Sequence, residues 1–137
     1  MEKFAQRKAE HKWEVERVET VFGKHMVIVG YGDIGSCCAR IAKHGFGMKV
    51  SGIKRRPEQA TAEQKENASE IVGNDHFDRL VKEADFIVGV LPKVADTTDY
   101  FNKESTFSKM KKSAVFMSIG RGTTVNEEDL IEALNTK

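Results

Sequence analysis

Apolar positions along the chain follow two patterns. Some form short continuous runs, and others recur every three or four residues, which mark buried strands and amphipathic helices respectively. Met26 to Val29, MKVSGI at 48–53, DFIVGVLP at 85–92 and AVFMSIG at 114–120 are runs of the first kind, and Ile71 with Val72 predicts a shorter strand. Strands apolar on successive residues are buried on both faces, as in a parallel sheet. Pro57 and Pro92 stop two of them, because proline cannot donate to a central ladder. Ile34, Cys38, Ile41 and Ala42, at offsets 0, 4, 7 and 8, predict a helix ending near Gly45 and Gly47. Phe77, Leu80, Val81 and Ala84, at offsets 0, 3, 4 and 7, predict a second helix. Asn126 is a suitable N-cap for a third, with Glu127, Glu128 and Asp129 at its positive end and Leu130, Ile131 and Leu134 facing inward. Strands alternating with helices predict an α/β domain with a doubly wound parallel sheet and right-handed crossovers. Residues 2–19 contain neither Gly nor Pro and carry Ala5, Ala9 and Trp13 at i, i+4 spacing, which predicts a long exposed helix with a narrow apolar stripe. Residues 58–69 are polar and read as surface.

At 137 residues and 15.4 kDa the chain suits one domain with a substantial core. Its 22 basic and 21 acidic side chains leave a net charge of +1, which gives no electrostatic reason to expect nucleic acid or an anionic membrane as partner. No stretch approaches the roughly 20 apolar residues of a membrane span, and the charged N-terminal region lacks the apolar segment of a secretory signal. A cytoplasmic protein is expected. Cys37 and Cys38 are adjacent and poorly placed to bridge each other, and no Cys/His cluster calls for a metal. The four histidines lack obvious orienting carboxylates and read as surface or capping residues.

Chemistry enters at Gly30, Gly32 and Gly35. These follow a strand and open a helix, the setting in which such glycines permit a tight turn, the close approach of a pyrophosphate, and tight helix–strand packing. The helix N-terminus then offers N–H groups to phosphate. The bare alternative is a glycine turn without a ligand. Rossmann-type domains that prefer NAD place an acid about 20 residues further on, to hold the ribose 2′-hydroxyl. Lys54, Arg55 and Arg56 stand there instead, so donors for a 2′-phosphate replace a hydroxyl acceptor and NADP(H) is favoured, with NAD(H) possible. A solvated basic loop is the alternative.

Three segments then stand in order over nearly the whole chain: "HKWEVERVETVFGKHMVIVGYGDIG", "ADFIVGVLPKVADTTDYFN" and "MKKSAVFMSIGRGTTVNEEDLIEAL". They resemble the D-isomer-specific 2-hydroxyacid dehydrogenases, the group with glyoxylate/hydroxypyruvate reductases and phosphoglycerate dehydrogenase. The resemblance implies a linking helix over residues 1–22 and a dinucleotide-binding domain over 23–137. It implies that Asp33 and Ile34 meet the pyrophosphate, that Leu91, Pro92 and Thr97 border the cofactor, and that Ile119 and Gly120 approach its nicotinamide side. Arg121 matches the family's catalytic arginine, which can pair with the carboxylate of a 2-oxo acid and polarise its carbonyl for hydride attack. Ser118, in place of the usual asparagine, and Lys54, in place of the usual acid, depart from the family pattern. The resemblance also places a catalytic histidine and its orienting glutamate downstream of Arg121, past the last residue here, and implies a homodimer. The implied function is the cofactor domain of an oxidoreductase acting on a small 2-hydroxy or 2-oxo acid. The alternatives are a non-catalytic binding module or a truncated inactive product.

Overall fold

The computed structural model describes residues 2–15 and 18–136. Five parallel strands form one sheet: β1 His25–Val29, β2 Lys49–Ile53, β3 Glu70–Val72, β4 Phe86–Gly89 and β5 Val115–Ser118. Their order is β3-β2-β1-β4-β5. The chain winds outward from β1 to β3, then returns to place β4 on the other side of β1. This is the doubly wound α/β sheet that the alternation of apolar runs and amphipathic stretches predicts. The reversal between β1 and β4 opens a crevice at the carboxyl ends of the strands, where such sheets bind ligands.

Alternate residues of the strands build two cores, one on each face of the sheet. Val27, Val29, Ile53 and Ile87 pack with Phe77, Leu80 and Val81 of helix α4, Phe77–Glu83, and with Phe101 and Phe107. Ile28, Val50 and Val88 pack on the other face with Ala39, Ala42 and Met48. Phe101 anchors the first core edge-on to both Tyr100 and Phe116, each with ring centroids 5.1 Å away. Helix α2, Asp33–Arg40, runs directly into a wider π-type turn over Ile41–Gly45.

Three expectations need correction. Helix α1 spans Glu2–Ala9 only, not 2–19. His11, at φ 54°, takes the left-handed conformation, and the bonds from its N–H to the Lys8 carbonyl and from the Lys12 N–H to the Arg7 carbonyl close a helix-terminating motif. The part of that expected helix over Glu16 and Arg17 lies outside the described residues. Second, the polar stretch 58–69 contains helix α3, Ala62–Glu66, capped reciprocally by Thr61 and Gln64. Third, in helix α5, Glu127–Asn135, Leu130 and Ala133 pack toward the core, whereas Ile131 and Leu134 are 59% and 55% exposed. Leu130 and Ala133 form the inward row; Ile131 lies about 100° around the helix from Leu130, and Leu134 stands in the last turn, where the helix runs out at Asn135. Asn126 caps this helix as expected, accepting from the Asp129 N–H at 3.0 Å.

Candidate dinucleotide site

The crevice begins where β1 runs into α2. Gly30 has φ +94°, and a Cβ there would lie 2.6 Å from the Val90 carbonyl oxygen. A Cβ on Gly35 would lie 2.8 Å from the Gly30 oxygen and 3.1 Å from the Ile28 side chain. Gly30 therefore makes the turn and Gly35 lets helix and strand close. Gly32 differs, because a Cβ there would meet nothing within 4 Å. Protein fills the space at two of the three glycines, and the third faces an open approach. Gly32 is also the N-cap of α2 and has no side chain to cap with, so the N–H groups of the first turn lack intrahelical carbonyl partners. Asp33 and Ile34 stand exposed at that helix start, Ile34 at 64%. Open space, unpartnered N–H groups and the positive end of a helix together suit the pyrophosphate of a dinucleotide.

The wall toward β2 is tightly joined to this loop. The Gly30 and Tyr31 N–H groups both donate to the Ile53 carbonyl, at 3.0 and 2.9 Å. Tyr31 is fully buried over Gly52 and donates its hydroxyl to the Gln64 carbonyl at 3.0 Å. The structure separates the three basic residues beyond β2. Lys54 turns inward and half-buried, its Nζ donating to Gln64 Oε1 at 2.7 Å. Arg55 and Arg56 remain exposed, with Arg55 Nη2 lying 3.9 Å from Asp96 Oδ2 on the loop after β4.

At the ends of β4 and β5, a Cβ on Gly120 would lie 2.5 Å from the Leu91 carbonyl oxygen, so the Leu91–Pro92 and Ile119–Gly120 backbones run in contact. Ile119 continues the sheet bonding, its N–H donating to the Gly89 carbonyl at 2.9 Å, while its side chain is exposed. Thr97 is buried, and its hydroxyl donates to the Pro92 carbonyl at 2.6 Å, which folds the loop back on itself. Arg121 is exposed, with Nη1 donating to the Gly120 carbonyl at 3.1 Å. Its own carbonyl accepts from the Thr124 hydroxyl at 2.7 Å, so the backbone under the guanidinium is held. The glycine loop, the basic loop, the Leu91–Thr97 loop and Arg121 thus follow the carboxyl ends of β1, β2, β4 and β5. A cavity of about 570 Å³ lies elsewhere, between β5 and α5, and shares no residue with this set. Among the described residues no group of three or more His, Cys, Asp or Glu side chains could hold a metal, and no helix is long and apolar enough to cross a membrane.

The opposite end of the sheet carries a polar chain that sequence reasoning passed over. His25 is buried, and its Nε2 lies 2.8 Å from Ser51 Oγ, which donates to Glu70 Oε1 at 2.9 Å. Arg79 Nη2 donates to Glu70 Oε2 at 2.8 Å. Burial pushes the His25 imidazole below its ordinary pKa, and the Lys49 ammonium adds to this against the opposing charges of Glu83, Glu70 and Asp85. The Arg79 hydrogen bond holds the Glu70 carboxyl below the usual range, with Ser51 contributing. The expectation of a surface or capping role fails for His25, because the partners that bury it come from two other strands and a helix, β2, β3 and α4. Gln64 and Asp96 were missed at the site for the same reason, although Thr61-x-x-Gln64 is a capping-box pattern.

The fold is shared with known proteins. The family model for the D-isomer specific 2-hydroxyacid dehydrogenase, NAD binding domain, matches residues 1–137. A glyoxylate/hydroxypyruvate reductase B of Klebsiella pneumoniae subsp. pneumoniae is 40% identical over 114 residues, covering 83% of this chain and 33% of that protein. The chain thus spans about a third of the length of that relative. A D-isomer specific 2-hydroxyacid dehydrogenase family protein from Aeromonas salmonicida superposes with a TM-score of 0.86 at 28% identity, over 99% of this chain and 42% of that one. An NADPH-dependent glyoxylate/hydroxypyruvate reductase from Sinorhizobium meliloti, solved with NADP and sulfate, superposes with a TM-score of 0.80 at 27% identity, over 98% of this chain and 42% of that one. A glycine loop open only at Gly32, at the switch point of a five-stranded parallel sheet and in a chain matched end to end by that model, makes this chain a member of the D-isomer specific 2-hydroxyacid dehydrogenase NAD-binding domain family.

Proposed function

We propose that this chain binds NADP(H) in preference to NAD(H) and serves as the cofactor domain of an oxidoreductase acting on a small 2-hydroxy or 2-oxo acid. The observation that carries the reading is the open approach at Gly32, between two glycines whose space is already filled. In this reading residues 23–137 are the dinucleotide-binding domain and 1–22 a linking segment. The N–H groups of Asp33 and Ile34 hold the pyrophosphate. Leu91, Pro92 and the loop folded by Thr97 border the cofactor, and Ile119 with Gly120 lines its nicotinamide side. A nicotinamide held there supplies or accepts a hydride. Arg121 pairs with the substrate carboxylate and draws electron density from the adjacent carbonyl, stabilising the oxygen charge that develops on hydride addition. A general acid must protonate that oxygen, and in this reading the domain contributes the cofactor site and the arginine. The relatives' printed names support glyoxylate or hydroxypyruvate as the substrate class. A cytoplasmic location fits this chemistry.

The basic loop supports the cofactor preference. Charge-assisted bonds to a 2′-phosphate are worth roughly 1.5–3 kcal/mol each before solvent exposure reduces them. The test is equilibrium titration with NADPH and NADH, followed by nucleotide fluorescence. The Arg55→Ala, Arg56→Ala double variant should lose tenfold or more in NADPH affinity, by roughly one such bond, and keep its NADH affinity. An unchanged ratio of the two affinities would overturn the assignment.

A further inference from the structure

Gln64 lies nearly fully buried in an otherwise polar stretch, and its bonds connect two loops of the site. Its backbone carbonyl accepts from the Tyr31 hydroxyl, and Tyr31 stands between Gly30 and Gly32. Its Oε1 accepts from Lys54 Nζ at 2.7 Å and from the Thr61 N–H at 3.3 Å, while its own N–H donates to Thr61 Oγ1 at 3.2 Å. Lys54 opens the basic loop, and the preceding carbonyl, that of Ile53, receives both Gly30 and Tyr31 N–H groups. One side chain and one peptide therefore clamp the glycine loop to the basic loop. A loop with three glycines in six residues loses much conformational freedom on ordering, and a clamp that holds it before a ligand arrives raises affinity for any ligand it cradles.

We propose that Gln64 is a positioning residue that locks the glycine loop to the basic loop, and that Lys54 acts through Gln64 rather than on a 2′-phosphate. The proposal rests on the dinucleotide reading of the site. Discrimination between the two cofactors then falls to Arg55 and Arg56, whose side chains face solvent. A direct phosphate ligand would affect NADPH alone. A clamp affects both cofactors, and its effect is visible in the empty loop.

The experiment compares the full chain with its Gln64→Leu, Lys54→Met, doubly substituted and Gln64→Glu forms. Amide hydrogen exchange at Gly30 and Tyr31 is followed without cofactor, and NADH and NADPH are then titrated. Lys54→Met and Gln64→Leu should each speed exchange and weaken NADH binding by about threefold to tenfold, the discounted worth of a charge-assisted bond. The double form should be no worse than Gln64→Leu alone, because that substitution already removes the Lys54 contact along with the Thr61 one. Gln64→Glu should restore NADH binding, since both side-chain bonds end on an acceptor oxygen. If Gln64→Leu does not fold, Lys54→Met carries the test, because its stem keeps the packing. Unchanged exchange and NADH affinity in Lys54→Met, with NADPH alone weakened, would overturn the proposal and make Lys54 a phosphate ligand. Failure of the unsubstituted chain to bind either nucleotide, with exchange responding as expected, would instead leave the clamp standing and remove the dinucleotide reading.

Discussion

The three glycines of the loop have identical side chains and different surroundings, and substituting them separates folding from binding. Alanine at Gly30 meets two obstacles: a backbone at φ +94° that L-residues rarely adopt, and a carbonyl oxygen 2.6 Å from the new Cβ. Strain and overpacking of this kind cost roughly 1–3 kcal/mol each, so Gly30→Ala should lose about 3 kcal/mol of stability in urea denaturation. Gly32 has φ −99° and free space around its would-be Cβ, so Gly32→Ala should fold within about 0.5 kcal/mol of the parent chain. Its methyl group would occupy the approach itself, and dinucleotide binding should fall by at least tenfold. Normal nucleotide affinity in Gly32→Ala would show that the open side of the loop is not where the pyrophosphate lies.

Among the elements, strands β1, β2, β3 and α4 carry the buried histidine chain, which makes stability depend on pH. Neutral His25 donates from Nε2 to Ser51, and Ser51 donates on to Glu70. His25 has a folded-state pKa below its ordinary value of about 6.5, so the unfolded chain binds the proton more readily. Its contribution is complete above about pH 7 and is lost as pH falls below 6.5 toward the folded value. Glu70 acts lower on the scale. Its depressed pKa contributes stability that is present above the ordinary carboxylate range and is lost as pH falls through its folded value. Urea midpoints measured between pH 5.5 and 7.5 should therefore drop toward the acid side, and the drop should flatten in His25→Gln. Parallel pH profiles for the two proteins would refute the link. Element boundaries show how far local pattern reaches. Apolar runs marked the five strands, most clearly the largely buried β1, β2 and β4, while the edge strands β3 and β5 are only partly buried. The helix over 2–19 failed because propensity alone does not hold a helix that lacks packing, and α1 stops at Ala9 with Trp13 and Val15 beyond it 96% and 93% exposed.

For the whole molecule, those exposed side chains lead to a prediction of assembly. Phe4, Trp13, Val15, Val18 and Phe22 stand in solvent on the N-terminal segment, a concentration of apolar surface that marks an interaction site in most folded chains. We propose that a second copy covers them in a two-fold symmetric dimer. Sedimentation at about 100 μM should give a dimer, and Trp13→Glu should shift it toward monomer; a monomer at that concentration in the unsubstituted chain would reject the proposal. The sheet shows the wider division between local pattern and fold. Apolar periodicity, turn residues and the glycine spacing are local properties, and they determined the strands and the site-bearing loop, since each rests on neighbours within a few residues; the switch point follows from the strand order, which the fold decided. Contacts between distant segments decided the rest. Lys54, Arg55 and Arg56 are equivalent as a run of letters, yet only the fold brings Gln64 to Lys54 and Asp96 to Arg55. His25 becomes a buried titrating group only when β2, β3 and α4 bring Ser51, Glu70 and Arg79 beside it. A side chain's chemistry is written in the sequence, but its partner, burial and charge state depend on which surfaces meet, and the long-range packing of the sheet sets that.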